Sequence, residues 1–173
     1  MNACILTIGD ELLQGFTIDT NSTWLAKTLL SYNINIIKTV TIGDDHGKII
    51  TESQKILQEN YDLLFVTGGL GPTHDDVTKK AYCELFCDEM YFDHDYYSQL
   101  IKKYETIGKK IPKINKSQAM LLKNADSIPN ASGSALGIHS TYKNTHVFIM
   151  PGVPIEMQDM VNNYIIPNYI NNE

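Results

Sequence analysis

The sequence predicts a three-layer α/β/α domain, in which helices cover both faces of a mostly parallel sheet that has one antiparallel edge strand. The first observation is that short apolar segments alternate with helical patterns through the first half of the chain. Such alternation is typical of parallel strands joined by right-handed helical crossovers. The second is a pair of strand-like segments near the C-terminus, separated by a polar turn at Lys143-Asn144, which predicts an antiparallel hairpin.

The first half of the chain is predicted to contain three strands, each followed by a helix. Residues 3–8 and 62–67 are short, mostly apolar runs that predict buried strands. Residues 34–42 are rich in Ile, Val and Thr, which favour strands. The predicted helices run from a cap at Thr20 or Asn21 to about Ser31, over residues 46–59, and from Asp76 or Thr78 to about Phe86.

The second half departs from this alternation. Residues 91–123 contain Tyr-rich and Lys-rich helical stretches with a break near Ile111-Pro112. They predict a helical insertion within a single domain that spans residues 1–173. Residues 138–142 and 145–150 form the predicted hairpin. Pro154 is expected near the start of a last helix, where its missing N–H costs no hydrogen bond.

Composition limits the class of partner. The chain has 173 residues with 14 basic and 20 acidic side chains, so its net charge is −6. This balance argues against nucleic-acid binding, which usually requires a basic surface. Cys4, Cys83 and Cys87 include no Cys-x-x-Cys pair, which argues against a disulfide framework or a zinc site. The sequence shows no signal peptide and no membrane span, so we expect a cytoplasmic protein without a membrane partner.

The strongest site signal is a glycine-rich segment that follows the third predicted strand, Thr67-Gly68-Gly69-Leu70-Gly71-Pro72-Thr73-His74-Asp75-Asp76. Its glycines and proline allow a tight turn against a ligand, and the next helix start offers free N–H groups to phosphate. Asp75 and Asp76 are either partners of the helix dipole or ligands for Mg²⁺ or a similar hard cation. We predict that a small phosphorylated ligand binds at Gly68, Gly69, Gly71, Pro72 and Thr73.

Three further loops are expected at the same edge, because ligands of open parallel sheets bind beyond the carboxyl ends of the strands. The loop after the first strand carries Glu11, Asp19 and Asn21. These residues are candidates for metal or phosphate binding or, alternatively, for helix capping with solvated carboxylates. The second strand is followed by Gly43-Asp44-Asp45. The last strand is followed by Pro151 and Gly152, which fix a turn before another helix start and are candidates for ligand binding.

These residues resemble the molybdenum-cofactor-biosynthesis (MoCF) family, and most closely the N-terminal domain of the CinA, or competence/damage-inducible, proteins. The resemblance covers nearly the whole chain. The strings that carry it are Gly9-Asp10-Glu11-Leu12-Leu13-x-Gly15, Asp19-Thr20-Asn21, Gly43-Asp44, the glycine-rich segment through Thr78, Asn115, Gln118-Ala119, and Pro151-Gly152-Val153-Pro154-x-Glu156-Met157.

The resemblance implies both an activity and roles for particular residues. In molybdopterin-binding relatives the pterin phosphate lies at the glycine loop, and two aspartates serve adenylyl transfer. Asp44 and Asp76 match those aspartates and are our candidate catalytic residues. CinA-type domains are associated with metal-dependent hydrolysis of ADP-ribose to AMP and ribose 5-phosphate. By resemblance, Asp75, Asp76 and Glu11 would hold the divalent metal, which would be Mg²⁺, Mn²⁺ or Co²⁺.

Two departures from the family affect the expected function. Full-length CinA proteins carry a second domain that deamidates nicotinamide mononucleotide, and no such C-terminal deamidase domain is expected here. The relatives usually have Gly-Thr-Ala-Pro-Gly before the last strands, whereas this chain has Gly133-Ser134-Ala135-Leu136-Gly137. Losing that proline loosens a loop near the pocket and affects substrate preference.

Three functions are therefore weighed. The leading hypothesis is a metal-dependent nucleotide pyrophosphatase. The alternatives are a molybdopterin adenylyltransferase or a related step of molybdenum-cofactor biosynthesis, with molybdopterin as the ligand, and a non-catalytic nucleotide- or pterin-binding module. A homo-oligomer is expected under each of them, because relatives commonly self-associate.

Overall fold

The structure is a computed structural model that describes residues 1–73 and 77–170. Within these ranges the strands are β1 (Asn2–Ile8), β2 (Asn35–Ile42), β3 (Leu63–Thr67), β4 (Met90–Phe92), β5 (Met120–Leu122), β6 (Asp126–Ile128), β7 (Gly137–Tyr142) and β8 (Thr145–Met150). The α-helices are α1 (Asp10–Leu13), α2 (Thr20–Leu30), α3 (His46–Gln58), α4 (Thr78–Leu85), α5 (His94–Thr106) and α6 (Pro154–Met160). A 3₁₀ helix covers Lys113–Ala119, and a π-helical segment, Val161–Ile170, continues α6.

Six strands form the central sheet in the order β2-β1-β3-β8-β7-β6. Strands β2, β1, β3 and β8 are parallel, whereas β7 is antiparallel to both of its neighbours. The predicted mostly parallel α/β class is therefore confirmed. The antiparallel strand β7 lies one position inside the edge, because the short strand β6 pairs on its outer side. Three residues are too few to give a recognisable period-2 pattern, so the sequence did not predict β6.

Apolar side chains on the two faces of the sheet form two separate cores. Along β1, Leu6 and Ile8 point into one core, which α3 and α4 cover with Ile49 and Tyr82 among others. Ile5 points into the opposite core, which α2, α6 and the π-helical segment cover. Successive side chains of a strand face opposite sides, so a strand that is buried on both faces must be apolar throughout. This arrangement makes the three layers and confirms the reading of residues 3–8.

Acidic N-caps mark the starts of α2 and α3. Asp19, not Thr20 or Asn21, is the N-cap of α2, and its carboxylate accepts the Ser22 N–H at 2.9 Å and the Ser22 hydroxyl at 2.5 Å. The predicted caps Thr20 and Asn21 were therefore wrong by one and two residues, whereas the alternative role of Asp19 in helix capping is confirmed. Asp45 caps α3 in the same way, accepting the Lys48 N–H at 2.8 Å.

The predicted helical insertion over residues 91–123 needs one correction. It contains α5 and the 3₁₀ helix, but its ends are strands: β4 and β5 pair antiparallel in a small separate sheet. The two strands are 3 residues each and lie at opposite ends of the segment, so no local pattern indicated their pairing. Among the helices within residues 1–73 and 77–170, none is both long and apolar enough to cross a bilayer.

Candidate functional site

The four parallel strands end at one level, and this places their following loops side by side. In register, Ile8 of β1 lies beside Ile42 of β2, while Thr67 of β3 lies beside Thr7 and Met150. The ladder extends one residue further, since the Gly9 N–H donates to the Ile42 carbonyl and the Gly68 N–H to the Met150 carbonyl, each at 3.0 Å. A cleft of about 590 Å³ opens directly above this edge.

Most of the predicted site residues that the structure describes line this cleft. They are Glu11, Asp44, Gly68, Gly69, Gly71, Pro72, Pro151 and Gly152. Thr73 lies instead beside a second chamber on the other side of the same loop. Asp75 and Asp76, predicted to hold metal and to take part in catalysis, lie outside the described residues, as does His74.

Several residues of the cleft wall were absent from the predicted site, among them Ser134, Ala135 and Glu156. Ser134 and Ala135 belong to the loop before β7, and Glu156 lies in the first turn of α6. Glu156 belongs to the string Pro-Gly-Val-Pro-x-Glu-Met, so a signal for it existed. Ser134 reaches the cleft wall because segments that are distant in sequence pack together, and the local sequence does not predict such packing.

Close approach of backbones explains the glycines at the base of the cleft. Gly68 has φ +109°, and a Cβ there would overlap the carbonyl oxygen of Ile8. Gly69 has φ +65°, and a Cβ there would overlap the Thr78 hydroxyl at the start of α4. Glycine adopts positive φ without a steric penalty and allows such contacts. The Thr78 N–H donates to the Gly69 carbonyl at 3.2 Å, which ties the start of α4 to this loop.

Asp19 and Asn21 lie beside the cleft in a smaller annex of about 90 Å³, which shares Glu11 and Gly152 with it. Asn21 is 8% exposed and its amide nitrogen donates to the Gly152 carbonyl at 2.8 Å. Because a carbonyl can only accept, this bond assigns the nitrogen and leaves Oδ1 on the other side. That oxygen is buried and has no partner in the described part of the chain. The Asn21 amide thus ties the loop after β8 to the start of α2.

The carboxylates of the cleft come from three separate segments: Glu11 from α1, Asp44 from the loop after β2 and Glu156 from α6. The Asp10 N–H donates to Asp44 Oδ2 at 3.0 Å, which joins the loops after β1 and β2. The Glu11 carboxylate folds back over Gly9, so that a Cβ on Gly9 would lie 2.6 Å from Glu11 Oε1. The Asn130 amide donates to Glu156 Oε2 at 2.6 Å. Asp44 and Glu156 are therefore each oriented by a donor from another segment of the chain.

A polar network holds the loop that carries Ser134. Asn130 Oδ1 accepts the Gly133 N–H at 2.7 Å, and its amide nitrogen donates to the Ala135 carbonyl at 2.8 Å. From α5, the Tyr96 hydroxyl donates to the Ser134 carbonyl at 2.8 Å. Burial raises the pKa of Tyr96 to about 12, so this hydroxyl stays protonated and remains a donor at neutral pH. These bonds hold residues 133–135 in place.

The described wall of the cleft is acidic. It includes the carboxylates of Glu11, Asp44 and Glu156 and no lysine or arginine. Among residues 1–73 and 77–170, no three His, Cys, Asp or Glu side chains converge closely enough to hold a metal ion by themselves. Oxygen donors of this kind still suit Mg²⁺, which commonly takes one or two carboxylates together with phosphate oxygens of a ligand.

Fold and site together define a doubly wound α/β protein with a glycine-lined, acidic cleft at the carboxyl edge of its parallel strands. The chain belongs to the MoCF biosynthesis family, whose model, described as "Probable molybdopterin binding domain", matches residues 4–170. It is similar to a CinA-like protein of Flavobacterium psychrophilum, with 38% identity over 98% of this chain and 41% of the relative. A CinA-like protein of Geotalea uraniireducens is 34% identical over 96% of this chain and 40% of the relative. The chain thus spans about two fifths of the length of these relatives.

Solved structures give the same assignment. The CinA protein of Thermoplasma acidophilum, described as of unknown function, matches with a TM-score of 0.84 and 28% identity, covering 98% of this chain and 97% of that one. MoaB, a molybdopterin biosynthesis enzyme of Thermus thermophilus, matches with a TM-score of 0.66 and 19% identity over 97% of this chain and 91% of that one. The second match supports the shared fold alone, whereas the first joins fold and sequence in support of a CinA-like domain.

Proposed function

We propose that the cleft is the active site of a metal-dependent pyrophosphatase that hydrolyses ADP-ribose or a similar nucleotide diphosphate to AMP and a sugar phosphate. The observation that carries this proposal is the combination of a glycine-lined floor with a wall of three carboxylates and no described basic side chain. Such a wall repels a phosphorylated anion unless a cation enters with it. The cleft volume of about 590 Å³ falls within the usual range of ligand sites.

The glycine loop supplies the surface against which phosphate would lie. Gly68 lies against the Ile8 backbone, and Gly152 lies against Gly68, since a Cβ on Gly152 would be 3.4 Å from the Gly68 Cα. Backbone N–H groups in such loops and at helix starts bind phosphate without any basic side chain. This explains how an acidic chain could hold a phosphorylated ligand.

A divalent cation would be held by Glu11 and Asp44, with phosphate oxygens of the ligand completing its coordination. Asp75 and Asp76 remain proposed ligands on sequence grounds. The metal, when bound, would neutralise charge on the diphosphate and acidify a bound water. Asp44 would keep its position through the Asp10 N–H, which donates to Oδ2. We assign to Asp44 the orientation of the attacking water.

An activity screen with two matched variants tests this proposal. The chain would be incubated with ADP-ribose and Mg²⁺, Mn²⁺ or Co²⁺ in turn, and AMP would be quantified by chromatography. Asp44→Asn is expected to reduce the rate about 100-fold or more, as for the loss of a positioned general base. Asp95→Asn, an exposed carboxylate of α5, serves as the control and should keep the full rate. Equal rates for both variants would remove Asp44 from the mechanism.

The catalytic role of Asp76 needs its own test, because it was inferred from the family resemblance alone. Asp76→Ala is expected to abolish turnover while the thermal unfolding temperature stays close to that of the parent chain. A full hydrolysis rate in Asp76→Ala would show that this carboxylate has no catalytic role.

A second candidate function is adenylyl transfer to molybdopterin, or another step of molybdenum-cofactor biosynthesis. The match of residues 4–170 to a family described as molybdopterin binding favours it. Calorimetry with AMP, ADP-ribose and a pterin phosphate separates the candidates. Tight pterin binding together with adenylyl transfer to the pterin would favour this second function. Tight binding of AMP, ADP-ribose or the pterin phosphate with neither hydrolysis nor transfer would favour a non-catalytic binding module.

Self-association is proposed on the basis of apolar side chains beside the cleft. Phe16 and Ile18 are 82% and 83% exposed in the loop after β1, and Ile155 is 61% exposed at the start of α6. Exposed apolar groups of this kind commonly mark an interface. Light scattering is expected to give a mass above the 19.5 kDa of one chain. A monomer at all concentrations would contradict the proposal.

A further inference from the structure

A second chamber lies on the other side of the glycine loop from the cleft. It has a volume of about 270 Å³ and shares Gly69, Leu70, Gly71 and Pro72 with the cleft as a common wall. Its remaining walls come from α4, β4, β5 and the 3₁₀ helix, which bring Met90, Ile114 and Met120 to its surface. Methionine side chains adapt to irregular shapes and make favourable contacts with aromatic rings.

The two cavities carry opposite charge. Glu11, Asp44 and Glu156 line the cleft, whereas Lys79 and Lys80 line the chamber and no carboxylate does so among the described residues. Among the described residues, a single loop therefore separates a cleft lined by carboxylates from a chamber lined by lysines. One phosphorylated ligand with its metal is enough to explain the cleft, but it leaves the lysines of the chamber unexplained.

Lys79 is the group that defines the chamber. Its side chain is partly buried, and its ammonium donates to the Met120 carbonyl at 2.9 Å, with the Gln118 carbonyl at 3.5 Å. No carboxylate in residues 1–73 and 77–170 lies within 4.0 Å of this ammonium. Burial lowers the pKa of Lys79 to about 8, since a desolvated charge without an opposite charge is unfavourable. An anion in the chamber would relieve that cost.

We propose that this chamber is a second ligand site, which binds a small organic anion with an apolar, ring-sized body and pairs its charge with Lys79. The ammonium favours a negatively charged group over a neutral one, because charge-assisted hydrogen bonds are the stronger kind. Met90, Ile114 and Met120 favour an apolar body, because they cannot replace the hydration of a bare inorganic ion. The proposal concerns binding in the chamber and does not depend on nucleotide hydrolysis in the cleft.

Three probes test separately whether the chamber requires a negative charge and an apolar ring. Phenyl phosphate has both, phenol has only the ring, and inorganic phosphate has only the charge. Binding would be followed in metal-free buffer by NMR of ¹³C-methyl methionine. Met90 and Met120 report on the chamber, while the buried Met150 and Met157 report on the core. Single Met→Leu variants assign the signals. Phenyl phosphate is expected to shift Met90 and Met120, and the other two probes to bind at least about tenfold more weakly.

Two substitutions identify the charged partner. Lys79→Met keeps the length of the side chain and should weaken phenyl phosphate about tenfold or more, while Lys79→Arg should retain binding. Lys27→Met, at an exposed position in the last turn of α2, is the matched control and should bind like the parent chain. Unchanged affinity in a folded Lys79→Met variant would overturn the proposal. If Lys79→Met fails to fold, the comparison of the probes on the parent chain is the test. Phenol that binds the parent chain as tightly as phenyl phosphate would also overturn the proposal.

Discussion

Substitution of Gly68 by alanine tests whether backbone crowding at the strand ends shapes the cleft. A methyl group at Gly68 would meet the Ile8 carbonyl oxygen at a φ of +109°. Gly108 provides a matched control, because it also has positive φ, at +69°, but an added Cβ there meets nothing within 4 Å. Gly108→Ala therefore measures backbone strain, whereas Gly68→Ala measures strain together with overlap.

The expected losses in free energy of unfolding follow from these two terms. Backbone strain at positive φ costs about 1–2 kcal/mol for a residue with a side chain. Forcing a methyl group into a filled space adds about 1–3 kcal/mol. We expect a loss of roughly 1–2 kcal/mol for Gly108→Ala and roughly 2–5 kcal/mol for Gly68→Ala. Because Ile8 belongs to β1, which is paired on both sides, the displaced atoms cannot move away without disturbing the sheet.

Urea unfolding followed by circular dichroism gives both values under one condition. The slope of free energy against urea should be the same in both variants, so that midpoints compare directly. A loss at Gly68 no larger than the loss at Gly108 would refute the reasoning. It would mean that the Gly68 backbone can move away from Ile8, and hence that the floor of the cleft is not held by this contact.

Two further predictions concern the annex and the far end of the sheet. Asn21→Asp replaces the donor that faces the Gly152 carbonyl by an acceptor, and should lower the free energy of unfolding in urea by about 1–3 kcal/mol; an unchanged midpoint would show that this bond does not hold the turn. Burial lowers the pKa of His139 below its ordinary 6.5, so the unfolded chain binds a proton more readily than the folded one. The free energy of unfolding should therefore be highest above about pH 6.5 and fall as the pH drops below that value. His139→Gln should flatten this pH dependence, whereas the control His94→Gln, at an exposed position, should leave it unchanged.

The parallel core could be predicted because burial on both faces leaves a direct trace in sequence. The run from Ala3 to Ile8 is almost wholly apolar, and helix patterns such as that of α3 repeat buried positions such as Ile49 and Ile56. The gathering of the site loops at one edge of the sheet could be predicted as well, since the loops that follow parallel strands lie at the same edge. That is why the positions of Glu11 and Asp44 in one cleft could be expected before the structure was known.

Features that depend on contacts between distant segments could not be predicted. Strands β4 and β5 are 3 residues each and pair across the whole insertion, so nothing local distinguishes them from loop. The partner of Lys79 is the carbonyl of Met120, 41 residues away, and the chamber exists only because α4 packs beside β5. Ser134 likewise reaches the cleft through a bond to Tyr96 on α5. Such positions are set by tertiary packing, which a periodic pattern does not encode.

The measurement that tests the main claim most directly is the release of AMP from ADP-ribose with and without a divalent metal. The parent chain is expected to release AMP with Mg²⁺, Mn²⁺ or Co²⁺ and to release none in the presence of a chelator. Asp44→Asn is expected to lose about 100-fold or more of this rate, although Asn keeps an oxygen for the Asp10 N–H and should leave the fold intact. An absence of AMP with all three metals, from a folded chain, would contradict the account.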